Sequence, residues 1–150
     1  MSLSSGKNER SCSVDDFLEW LRSRFAIPVE RISFRLIPSG KKRIRAFSGD
    51  EDLAISSVVV GVYVAKKTPF GYVLSVEGAQ LFGPLAKKNV LTLNRELLHM
   101  WMLGEDVEPS QAGLDRGIVL LRYNNLFVGC GYFDGKVIKN FLSIGRRIER

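Results

Sequence analysis

Three groups of residues in this 150-residue chain are of types that do chemistry. Gly129-Cys130-Gly131 opens like a dinucleotide-binding fingerprint, His99 is the single histidine, and Glu105, Asp106 and Glu108 crowd into one short stretch. Each fails on spacing or context. The fingerprint's third glycine would fall at 134, which is Asp134, and a helix should follow. Here Asp134-Gly135 reads as a tight hairpin turn leading to another strand. Gly129 and Gly131 alternate along one strand face, so a ligand, or equally a neighbouring helix, is expected to come close there. Cys130 faces the other way as a small buried hydrophobe. His99 falls in an amphipathic helical pattern with no recognisable nucleophile or metal partner. The 105–108 carboxylates lack calcium-loop spacing and read as a solvated acidic loop. Cys12 and Cys130 make neither a disulfide framework nor a metal-ligand pattern, and no GxxxxGK[ST] phosphate loop is present. The expectation is a chain with no cofactor and no enzymatic activity.

The charges say more. A net charge of +6 divides as +4 over residues 1–50, −2 over 51–110 and +4 over 111–150. Two basic ends around a mildly acidic middle suit a polyanion such as nucleic acid or an anionic membrane. The cations cluster as Lys41-Lys42-Arg43-Arg45, Lys66-Lys67, Lys87-Lys88 and Arg146-Arg147-Arg150. All but the last stand at turns or strand ends, and phosphate binding needs several on one face. Arg122, Lys136 and Lys139 would extend such a face, and Tyr123, Phe127 or Tyr132 could stack bases if exposed, though core packing is the default for each. No run approaches the ~20 apolar residues that span a bilayer, and the first residues show no secretory signal, so a cytoplasmic protein with reduced thiols and no membrane partner is expected.

Elements that would position these residues follow from periodicity and turn chemistry. Ser13 caps a helix whose apolar face is Phe17, Trp20, Leu21 and Phe25, and Pro28 stops it. Residues 31–37 and 43–47 alternate around "PSGKK" as a hairpin, and 58–67 and 72–76 form a second pair around "TPFG". The stretch "EGAQLFGP" (77–84), punctuated by glycine and proline, reads as a boundary. A strand at 87–93, a helix at 94–103 capped by Asn94, and a meander over 117–123, 126–133 and 136–142 complete the chain. Residues 1–12 are expected as a disordered leader, 13–77 as a small α/β portion, and 78–150 as a second domain. Each half alone would be marginal, so the two are expected to pack together.

The segments "LSVEGAQLFGPLAKKNVLTL", "NRELLHMWMLGEDVE" and "GIVLLRYNNLFVGCGYFDGKVIKNFLSIGRRI" resemble the PUA-type domain of archaeal proteins related to the Sun/Fmu RNA cytosine-5 methyltransferases. The resemblance covers roughly residues 74–150 and rests on the strand bearing Gly129-Cys130-Gly131, the basic strand after it, and Arg146-Arg147. It implies an α+β fold in which an N-terminal pre-PUA portion packs on a C-terminal PUA-like β pseudobarrel. It also implies a non-catalytic RNA-binding function on structured rRNA or tRNA, in RNA modification or ribosome biogenesis. The catalytic domain has no counterpart here, and neither cysteine stands in the Pro-Cys or Thr-Cys setting of that chemistry. The glycine-rich loop common after the first PUA helix is replaced by the acidic "EDVEPSQAG". The RNA contacts implied are Lys87, Lys88, Asn89, Lys136, Lys139, Arg146 and Arg147, with the glycine-flattened strand allowing close approach. The alternative is a protein-interaction scaffold, or an accessory subunit docking on an RNA-modifying enzyme or ribosome assembly factor.

Overall fold

The computed structural model describes residues 12–47, 61–111, 113–142 and 145. Residues 1–11 of the expected leader, the 48–56 loop, the start of the 58–67 run, and Arg146, Arg147 and Arg150 fall outside them. Cys12, expected as the leader's last residue, is instead buried in the core, its amide donating to the Lys41 carbonyl at 2.8 Å.

Helix α1 (Val14–Phe25) begins at Ser13, whose side chain accepts from the Asp16 amide, with Asp15 and Asp16 in the first turn. The dipole favours both carboxylates there. One stripe, Phe17, Leu21 and Phe25, is buried, and Ala26 closes the helix in the left-handed conformation. Strands β1 (Arg35–Ser39), β2 (Arg43–Phe47), β3 (Val62–Thr68) and β4 (Gly71–Leu74) form one antiparallel sheet in sequence order.

Helix α2 (Val76–Phe82) follows at once, capped by Ser75, whose side chain accepts from the Gly78 amide. The stretch 77–84, expected as a boundary, is thus mostly helical. Glycine and proline there punctuate less than they permit: a β-carbon on Gly78 would collide with the Val64 carbonyl, so the helix lies against β3. Pro84 sits in the first turn of a 3-10 segment, where its missing N–H costs nothing. Helix α2 packs on both β3 and β7, one strand from each sheet, so the expected boundary at 77/78 falls inside an element that joins the halves.

The second sheet contains β5 (Val90–Thr92), β6 (Gly117–Tyr123), β7 (Leu126–Phe133) and β8 (Ile138–Asn140) in that order. The meander and its Asn124 and Gly135 turn residues with positive φ match the expectation. Strand β5 joins β6 in parallel through helix α3 (Arg95–Met102), whose cap is the Asn94 side chain accepting from the Leu97 amide. Among the described residues this sheet stays open with β5 and β8 as edges, so the expected pseudobarrel is not a closed barrel. Closure is unnecessary here because both faces of β6 and β7 are covered. Ile118 and Leu120 pack with Phe17, Leu21, Phe25, Tyr72 and Phe82, while Val119 and Leu121 pack with Leu91, Trp101 and Ile138. The protein is α+β, with two four-stranded sheets and helices against them among the described residues.

Candidate nucleic-acid interface

Residues 86–90 carry the first candidate group. The C-terminal carbonyls of α1 would be orphaned, and this segment supplies their donors. The Lys87 and Lys88 amides donate to the Phe25 carbonyl at 2.8 and 3.3 Å, and Asn89 Nδ2 donates to the Arg24 carbonyl at 2.8 Å. Asn89 Oδ1 in turn accepts from the Asp115 amide at 2.8 Å. Asn89, expected as an RNA contact, is buried and left-handed, and its side chain makes hydrogen bonds within the protein. It holds the segment so that the side chains of Lys87 and Lys88 stand exposed.

Those lysines border an open groove of about 390 Å³ beside edge strand β5, lined also by Val90, Gln111 and Arg122. Arg122 donates from Nη2 to Thr92 Oγ1 at 2.9 Å and stands over the Phe127 ring. Gln111 Nε2 donates to the Val90 carbonyl at 2.8 Å, anchoring the loop that forms the opposite wall. Three cations therefore share one polar groove.

Behind the groove, Arg24 ties α1 to β6 by donating to the carbonyls of Ile118 (2.6 Å), Arg116 (3.1 Å) and Asp115 (2.6 Å). Burial lowers its guanidinium below the ordinary value, and nearby Asp115 works in the opposite direction.

The second group surrounds the β7–β8 turn. Asp134 Oδ1 accepts from the Val137 and Lys136 amides at 2.9 Å each, and these bonds hold its carboxyl below the usual range. Arg116 lies across this turn, close to Gly135. Because Gly117 pairs with Phe133, Lys136 and Arg116 stand at the same end of the sheet as Lys87 and Lys88. Lys139 departs from the group: its Nζ pairs with Asp106 Oδ2 at 3.8 Å. Arg116 and Arg122 complete what sequence reasoning marked only in part. Arg122 was recognisable as a cation on a late strand, but nothing in the spacing signalled that Arg116 would fold back over a turn.

Gly129 and Gly131 serve packing. A β-carbon on Gly131 would collide with the Lys139 carbonyl and stand 3.0 Å from Trp101, and one on Gly129 would stand 3.7 Å from the Trp101 indole nitrogen. Helix α3, through Trp101, makes the close approach, which is the helix-packing alternative of the two expected for these glycines. Cys130 projects to the other face, where Sγ contacts the Leu74 amide and carbonyl at 3.3 and 3.4 Å, and burial pushes the thiol up to about 12. A cavity of about 250 Å³ lies beside it, lined by Tyr63, Leu74, Glu77, Phe141 and Leu142 among others, with neither His99 nor the 105–108 carboxylates in its wall. Of those carboxylates, Asp106 accepts from the Asn140 amide and pairs with Lys139, an arrangement that braces β8. No described helix is long and apolar enough to cross a membrane.

Residues 88–148 match the family model described as the methyltransferase RsmF PUA domain. Ribosomal RNA small subunit methyltransferase F of Aeromonas hydrophila is 34% identical over 83 residues, covering 55% of this chain and 17% of that protein. The protein of the same name from Aeromonas salmonicida is 31% identical over 83 residues with the same shares. The matched region thus spans about a sixth of the length of these relatives. The resemblance carried by the C-terminal motifs holds: residues 88–148 are similar to the PUA domain of that methyltransferase family. Of the cations above, Lys88, Arg116, Arg122, Lys136 and Lys139 lie inside the matched span, and Lys87 immediately precedes it.

Proposed function

We propose that this chain is a non-catalytic, cytoplasmic RNA-binding module that recognises structured RNA, with ribosomal RNA favoured over tRNA because the relatives are named for rRNA methylation. The carrying observation is the convergence of Lys87, Lys88 and Arg122 on one polar groove, with Arg116 and Lys136 at the same end of the sheet. Cations on a rigid rim position a protein on phosphates without reading sequence, and folded RNA is recognised largely by shape and backbone. Arg146 and Arg147 enter this proposal from the sequence alone, and Lys139 joins it only where RNA displaces Asp106. Ribosome biogenesis or RNA modification is the proposed setting. A scaffold role finds less support, since among the described residues the large exposed hydrophobics Val62, Phe70, Leu81 and Leu126 are scattered over β3, the β3–β4 turn, α2 and β7.

Filter binding to a transcribed rRNA fragment at several salt concentrations tests the proposal. Changing Lys87 and Lys88 to Ala should flatten the double-logarithmic salt slope by about 1.4–1.8, at ~0.7–0.9 per phosphate contact, and weaken different RNAs alike. An unchanged slope in a folded variant moves the site off this groove. Absence of binding by the wild type at low salt overturns the RNA reading.

A further inference from the structure

The first sheet carries a second surface, outside the family-matching residues. Gly40–Lys42 turns β1 into β2, and Pro69–Phe70 turns β3 into β4. Because Arg43 pairs with Lys66 across antiparallel β2 and β3, the two turns share one end of the sheet. Lys41, Lys42, Arg43, Lys66 and Lys67 all stand there. Arg43 and Lys66 are exposed and directly opposite, and like charges so placed destabilise a sheet. Arg43 lies 4.9 Å from the Tyr63 ring centroid, which offsets part of the repulsion. Among the described residues, only Lys67 of the five has a carboxylate partner, Asp16 at 3.3 Å. The fold keeps a concentrated positive charge that a polyanion would relieve.

An aromatic group borders this charge. Phe70, at the tip of the β3–β4 turn, is 53% exposed. Its ring centroid lies 4.8 Å from that of Tyr132 and 6.3 Å from that of Phe141, so the second sheet backs a ring presented by the first. The turn is held in shape: the Phe70 amide donates to Thr68 Oγ1 at 3.1 Å, and that hydroxyl donates to the Gly71 carbonyl at 2.8 Å. An open hollow of about 500 Å³ lined by Lys42, Lys67, Thr68, Pro69 and Gly71 adjoins it. A fixed exposed ring beside unpaired cations is the combination that binds single-stranded nucleic acid, with bases on the ring and phosphates on the cations. A folded protein surface of mixed charge would not call for both.

We infer that this hairpin-tip end of the first sheet is a second RNA contact. An unpaired nucleotide stacks on Phe70, and the flanking phosphates meet Lys41, Lys42, Arg43 and Lys66. The inference rests on the RNA-binding reading above and specifies the form of RNA: a folded element with an adjoining single-stranded stretch.

The test compares two RNAs in fluorescence anisotropy, a hairpin alone and the same hairpin with a single-stranded tail of eight nucleotides. Phe70→Ala should weaken binding of the tailed RNA about 5- to 100-fold while changing the hairpin alone less than twofold, and Phe70→Trp should restore it. Changing Lys41, Lys42 and Lys66 together to Ala should flatten the salt slope for the tailed RNA by about 2. Circular dichroism of each variant should match the wild type, since all four positions are exposed. If Phe70→Ala and the triple lysine variant bind the tailed RNA as the wild type does, while the Lys87/Lys88 variant is impaired, this inference falls and the groove reading stands. If the wild type binds neither RNA, both fall. Binding to anionic lipid vesicles that these variants abolish, with RNA binding unaffected, would also overturn it.

Discussion

The two faces of β6 open onto different interiors. One face, Ile118 and Leu120, enters a core assembled from residues as distant as Cys12 and Cys130 and rich in aromatic contacts, among them Phe17 with Phe82 at 5.4 Å and with Tyr72 at 4.9 Å. The other, Val119 and Leu121, enters a core drawn from residues 76–142 and centred on Trp101. The contrast shows that the family-matching span 88–148 contains nearly all of the second core and only one wall of the first. The remaining wall comes from α1, the first sheet and α2. The span similar to the PUA domain and the set of residues needed to close the first core therefore have different boundaries in this chain.

The largest expected effect tests that distinction directly. A fragment of residues 78–150 would expose Ile118, Leu120, Phe127 and Cys130 to water, and we expect it to show no cooperative thermal transition and no near-ultraviolet dichroism from Trp101. A cooperative transition in the fragment would show that the second core suffices. Next in size, Phe82→Ala should cost about 3–5 kcal/mol in denaturant unfolding, because the ring is fully buried against Phe17 and Phe34. Tryptophan fluorescence and far-ultraviolet dichroism should still report one midpoint, and separate midpoints would mean that the cores unfold independently.

The second core is sharpened by a pair of smaller changes. Gly131→Ala should destabilise by about 1–3 kcal/mol, since its β-carbon meets strand backbone and Trp101. Gly129→Ala has room and should cost only ~1–2 kcal/mol, from its positive φ. Equal losses in denaturant titration would remove the distinction between crowding and conformation. Smallest of all, Trp101→Phe should stay within about 1 kcal/mol of wild type. The indole nitrogen is buried with no hydrogen-bond partner among the described residues, so removing it offsets part of the lost packing. A loss well beyond 1 kcal/mol would mean that the indole's bulk, rather than its unsatisfied donor, decides its contribution.

Local chemistry made much of this fold readable. Ser13 and Asn94 mark two helix starts, and Asp134-Gly135 marks a hairpin, because each satisfies a backbone need within a few residues. Helix α2 was hidden because Gly78 answers a distant demand, the backbone of β3, that no local pattern encodes. The parallel entry of β5 was hidden likewise, since direction is set by where α3 returns the chain. In the site, the pair Lys87-Lys88 was visible as charge, but the adjacent Asn89 looked equally polar and proved to be buried in the joint with α1. The cations at 41–43 and 66–67 were visible too. Their gathering at one end depends on the β2–β3 register, which the sequence leaves open across the intervening residues.

The seam between α1 and residues 87–89 has a consequence in time as well as space. The amides of Lys87 and Lys88 are held by the last turn of α1, and Arg24 in that turn is fastened to β6 across 94 residues of sequence. Amide exchange at the two lysines then follows the opening of the helix end, not the fraying of their own loop. The groove's cations stand on a slow element of the molecule, and their positions persist for as long as the seam stays shut.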